Sequence, residues 1–162
     1  MDTPAQNYLS RILLLAPLIF ICHFLEEAPG FVEWFNAHVT RGITSETFWQ
    51  VNLSGLVITI IIVGIEWLAP SDFSLSLVVA WFSFLMFANA IFHIVGSLVD
   101  QHYVPGLITA ILLYLPYYSW LMMKIVKSGQ IKISVLFGAA VLGATPMCIH
   151  GYRILFSGSR LF

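Results

Sequence analysis

The sequence predicts an all-α fold, a polytopic membrane helix bundle of about five transmembrane helices in one domain covering the whole chain. Two observations carry this. Charged residues are 9% of the 162, against about 25% in a soluble globular domain, and apolar residues are 59%. Five stretches are also apolar over the roughly 20 residues that a spanning helix needs. The net charge of −1 offers no basic surface to nucleic acid.

The first span is expected from about Tyr8 to Glu27. It lacks a small-residue cleavage site and runs into Glu26-Glu27, so it reads as a mature helix and not a signal peptide. The connection over residues 28 to 48 carries Phe31, Trp34 and Phe35 among polar residues, which suits a short helix lying in the membrane interface. "TSETFW" reads as a cap, with Thr44 or Ser45 starting the second span, expected at residues 49–69 and stopped by Pro70. The third span is expected at 75–98. The fourth, at 105–126, opens on Pro105-Gly106, and the fifth is expected at 131–155. In "LLYLPYYSWLMM" the aromatic residues read as lipid-facing, with a kink at Pro116. Cys22 and Cys148 read as small buried apolar residues and Glu33 as a surface group, and Glu66 beside Trp67 reads as reaching out to the far interface.

Five spans place His23, Glu26, Glu27, Asn52, Asn89, His93, Tyr103 and His150 toward one membrane face, with His38 and His102 solvated in the loops there. Arg11, Lys124, Lys127 and Lys132 fall on the other face, against Arg41, Arg153 and Arg160 on the histidine face. That margin of one charge predicts a cytoplasmic N-terminus and an outward histidine face.

His23, Glu26 and Glu27 stand at i, i+3 and i+4, and Asn89 and His93 at i and i+4, so each set shares a helix face. Ionisable groups in a bilayer cost roughly 2.5–3.5 kcal/mol each on insertion scales, so they must meet partners, water or an ion. The expected metal ligands are drawn from His23, Glu26, Glu27, His93 and His150. A divalent ion is expected, with mononuclear zinc fitting better than a di-iron pair, which needs about four carboxylates. The expected catalytic groups are Glu26 or Glu27 as general base, with Asn89 and Tyr103 orienting the substrate. Asn52 either joins these groups or only bonds backbone. The same parts allow three other readings: a metal-free Glu/His hydrolase, a lipid, small-molecule or ion binding or transport protein, and a purely structural polar network.

"HFLEE" (His23 to Glu27), "NAIFH" (Asn89 to His93) and "YVPG" (Tyr103 to Gly106) occur in that order. With these motifs the chain resembles the HxxEE family of small prokaryotic membrane proteins. The resemblance implies a prokaryotic plasma-membrane location and a functional site that includes Pro105 and Gly106 with the residues above. It supplies no reaction. The residue content is also similar to that of glutamate-type intramembrane proteases, but Phe31 stands where those carry an arginine, so the similarity is one of chemistry alone. The expectation drawn from all this is an intramembrane hydrolase that is metal-assisted, acts on a hydrophobic or lipid-like small molecule, and has the lipid bilayer as its partner.

Overall fold

The computed structural model describes residues 11 to 162, so the expected start of the first span at Tyr8 lies outside the described residues. Among those described there are helices and no strands.

Helix α1 (Arg11–Glu27) becomes regular at Ala16, with Pro17 in its first turn, and buries Ala16, Phe20, His23, Phe24 and Glu27. This spacing of three and four puts both motif residues on the inward face. At ~1.5 Å per residue the described part of α1 covers about 25 Å. At Ala28-Pro29-Gly30 the chain bends by 68° into α2 (Phe31–His38). Among the described residues four other helices are each long and apolar enough to cross a membrane, and the bent pair makes a fifth span if it counts as one. The chain is therefore a membrane-helix bundle.

α2 is fastened down at its polar side. Trp34 Nε1 donates to Asp100 at 2.6 Å, and His38 Nε2 lies 3.0 Å from the other oxygen of that carboxylate. The expected solvated His38 is thus corrected, because Asp100 at the end of the third span pairs with it.

α3 (Ser45–Leu68) starts earlier than expected because Thr44 caps it, accepting from Thr47 N–H at 3.1 Å. Asn52 bonds backbone, donating to the Phe48 carbonyl at 3.1 Å. α4 (Asp72–Asp100) also starts early, under a reciprocal cap between Ser71 and Ser74. Glu66 corrects another expectation. It is 4% exposed and does not reach outward, because the Ser74 hydroxyl donates to it at 2.5 Å.

α4 widens into π-helical turns over Ser83–Ala88, just before the Asn89–His93 pair. α5 (Leu107–Ser128) does the same over Ala110–Tyr114. Pro116 follows that stretch and has no N–H to give the preceding turn. Tyr114, Tyr117, Tyr118 and Leu121 are buried, so this aromatic segment packs inward and corrects the lipid-facing reading. α6 (Ile133–Ser157) crosses α4 so closely that a Cβ at Gly143 would run into the backbone of Ala80. Cys22 and Cys148 lie on outer faces and are not buried.

Candidate metal centre

His23 and Glu27 are one turn apart on the inner face of α1, and His93 faces them from α4. The two imidazoles are 0% exposed and Glu27 is 4% exposed. Glu27 Oε1 lies 3.1 Å from His93 Nε2 and 3.5 Å from His23 Nε2. Neither contact is aligned as a hydrogen bond, and both Nε2 atoms are buried without a hydrogen-bond partner among the described residues. One ligand atom from each of the three residues falls within 4.8 Å of the others, so the cluster can hold a metal ion. Ligand atoms about 2.0–2.1 Å from a tetrahedral zinc stand roughly 3.3 Å apart, which matches the two short separations.

Glu26 takes a different direction. Successive helical residues diverge by about 100°, so Glu26 leaves the cluster and meets the start of α5. Its carboxylate accepts from Tyr103 OH (2.5 Å) and Ile108 N–H (3.0 Å) on one oxygen, and from Thr109 N–H (2.7 Å) and Thr109 OH (2.5 Å) on the other. Glu26 thus caps the open N–H groups of α5 from outside the helix.

This fixes His23 as well. The Thr109 hydroxyl gives its proton to Glu26 and sits 2.8 Å from His23 Nδ1, so it can only accept from that nitrogen. His23 therefore carries a proton on Nδ1, and in the singly protonated ring its Nε2 lone pair faces Glu27. In that form the lone pair faces a carboxylate oxygen at 3.5 Å, which is repulsive unless a metal cation or a second proton lies between them.

Gly106 explains the end of the Tyr103–Gly106 motif. Its φ is +98°, and a Cβ there would lie 2.6 Å from His93 Cε1 and 3.0 Å from Glu27 Cγ. Only glycine lets this loop close over the cluster. Tyr103, in the loop between α4 and α5, is half exposed at its ring. Partial burial, and then the Glu26 carboxylate it faces, push its phenol up to about 12.

Glu27, His93 and Asn89 line a cavity of about 600 Å³ whose other walls are mostly apolar. The Asn89 Oδ1 is buried with no partner among the described residues. His150 lines the same cavity but stands outside the three-residue cluster, where its Nδ1 accepts from Leu161 N–H at 3.1 Å. Glu26 is outside the cluster too. The cluster is therefore His23, Glu27 and His93, drawn from the wider expected ligand set.

Sequence reasoning missed two residues here. Thr109 has a faint signal, lying three positions after Gly106 in the first turn of a helix. Tyr114 has none beyond its aromatic neighbours. Its ring lies 4.1 Å from that of His23, and its buried hydroxyl has no partner among the described residues.

Fold and site together define a membrane-helix bundle with a buried His/Glu/His cluster. A family model described as "protein of unknown function with HXXEE motif" matches residues 14–121, two thirds of the chain, and the chain belongs to that family. No curated protein and no solved structure matches it.

Proposed function

We propose that the protein is a metal-dependent intramembrane hydrolase acting on a hydrophobic or lipid-like substrate. The observation that carries this is the buried convergence of His23 Nε2, His93 Nε2 and the Glu27 carboxylate, with neither nitrogen in an aligned hydrogen bond among the described residues. His23, Glu27 and His93 would hold the ion, and two imidazoles with one carboxylate are a donor set used by hydrolytic zinc. An ion there supplies Lewis acidity that activates water and polarises a carbonyl or phosphoryl group. Only one carboxylate of the Glu26-Glu27 pair joins the cluster, which favours a single ion over a di-iron pair.

The chain's own groups then divide the work. Glu26, saturated by four donors, is a positioning residue, and Tyr103 helps to hold it. Glu27 lines the cavity and is the group placed to take a proton from water there. Asn89 faces the same cavity with an unpaired amide oxygen, so its side chain is free to orient the substrate. The apolar walls suit a substrate drawn from the bilayer.

The test is elemental analysis of protein purified without chelators or a histidine tag, beside His23→Ala, His93→Ala and Glu27→Gln. About one zinc per chain is expected, lost in all three variants. No metal in any preparation, even after reconstitution, would overturn the reading and leave a metal-free carboxylate or a binding protein.

A further inference from the structure

The cavity that reaches Glu27 and His93 holds a cationic side chain that the hydrolytic reading does not use. Arg160 lines it, just beyond the end of α6, and makes no hydrogen bond or ion pair among the described residues. Its neighbour Arg153, by contrast, donates to Ser159 at 3.1 Å. The backbone that carries Arg160 is held in place. Leu161 N–H donates to His150, Phe162 stacks on that imidazole at 4.1 Å and 6°, and Gly158 O accepts from Thr40 N–H at 3.0 Å.

An unpaired guanidinium in a largely apolar cavity is a strong anion acceptor, because it offers several donors in a fixed fork. The one acidic group lining the cavity, Glu27, already lies against two imidazoles. The cavity is lined as well by Phe48, Trp81, Phe84 and the α3 residues Val51 and Ile58. Val51 and Ile58 line the cavity while being 62% and 40% exposed, so this wall opens sideways on a helix face that hydrocarbon would cover. A cavity of about 600 Å³ is of a size for one small-molecule ligand, not a whole two-chain phospholipid.

We infer that the cavity binds a single-chain amphiphile from the bilayer, its carboxylate or phosphate head on Arg160 and its chain among the aromatic walls, entering past Val51 and Ile58. The inference rests on the proposed function only in taking Glu27 and His93 as the centre that the bound chain reaches.

The test is binding of a fluorescent polyene fatty acid, and of its uncharged methyl ester, to the purified full chain in detergent, with zinc and with chelator. The acid is expected to bind about tenfold tighter than the ester, as one charge-assisted contact allows. Arg160→Gln should remove that preference and leave ester binding intact, and Ile58→Trp should weaken both ligands by filling the chain site. Equal binding of acid and ester, or a preference that survives Arg160→Gln, overturns the inference. So does displacement of the acid by millimolar inorganic phosphate with Ile58→Trp without effect, which would mark a free-anion site. A preference seen only with zinc would assign the head to the metal cluster and also overturn it. If the preference persists in protein that never takes up zinc, this inference stands and the metal-dependent reading fails.

Discussion

His23 Nδ1 lies 2.8 Å from Thr109 Oγ1, and because that hydroxyl already gives its proton to Glu26, the imidazole is the donor in this contact. The relation ties a residue outside the three motifs to the tautomer of one within them. Outer-shell partners of metal-binding histidines typically tune affinity by about 10–100-fold.

Thr109→Val should therefore weaken zinc binding by about 10–100-fold while leaving the ligands in place. Nitrogen-15 NMR of the histidine rings should show His23 losing its fixed Nδ1–H form. Thr109→Ser, which keeps the hydroxyl, should restore both readings. A Val variant with native affinity and a native His23 spectrum would show that the relay has no role.

Glu26 and Glu27 should separate cleanly. Glu26→Gln turns one acceptor into a donor facing N–H and O–H groups, a cost of about 1–3 kcal/mol, read as a lower thermal midpoint in detergent. With both proteins stripped by chelator, Glu27→Gln should keep the midpoint, and on reconstitution it should fail to take up zinc. Equal loss of zinc in both, with no change in either midpoint, would put Glu26 back among the ligands.

Gly106→Ala meets two obstacles at once, a φ of +98° and a Cβ 2.6 Å from His93 Cε1. A destabilisation above about 1 kcal/mol is expected, together with reduced zinc content, because the relief available is to push His93 away. Thermal unfolding followed by circular dichroism checks the first part and elemental analysis the second.

Tyr103 gives a pH signature. Its phenol, pushed up to about 12 by partial burial and by Glu26, keeps its proton longer in the folded chain than in the unfolded one, where tyrosine titrates near 10. The sign follows from linkage: the contribution to stability is intact below about pH 10 and falls away as pH rises from there through about 12. Ultraviolet difference titration of wild type against Tyr103→Phe should show the missing tyrosine titrating near 12. A midpoint near 10 would mean that the Glu26 contact is not made.

The spans were largely legible in the sequence. Hydropathy located the apolar stretches, and the Thr44 cap was readable in "TSETFW" because capping is a local property of side chain and backbone. The pairing of His23 with His93 was legible too, since buried imidazoles on facing helices must meet something. The division between Glu26 and Glu27 was not. Adjacent carboxylates look alike in one dimension, and what separates them is the approach of Ile108 and Thr109 from a distant segment. The burial of Glu66 escaped for the same reason, its partner Ser74 belonging to the next helix. Tyr114 was hidden by the widened turns of α5, which shift a helical count that assumes uniform spacing.

The widened stretch at Ser83–Ala88 has a consequence for chain length. Upstream of it, α4 packs Val78, Val79 and Phe82 into the core, and downstream it delivers Asn89 and His93 to the cavity. A π turn holds about one residue more than an α turn. Deleting one residue within this stretch and rewinding it as uniform α-helix would remove the extra residue and leave His93 facing the cluster, whereas the same deletion in a regular α turn of this helix would swing everything beyond it by about 100°. The third span thus runs in two phases, one set by packing and one by chemistry. A homologue that is one residue shorter here can keep the site by winding the stretch as plain α-helix.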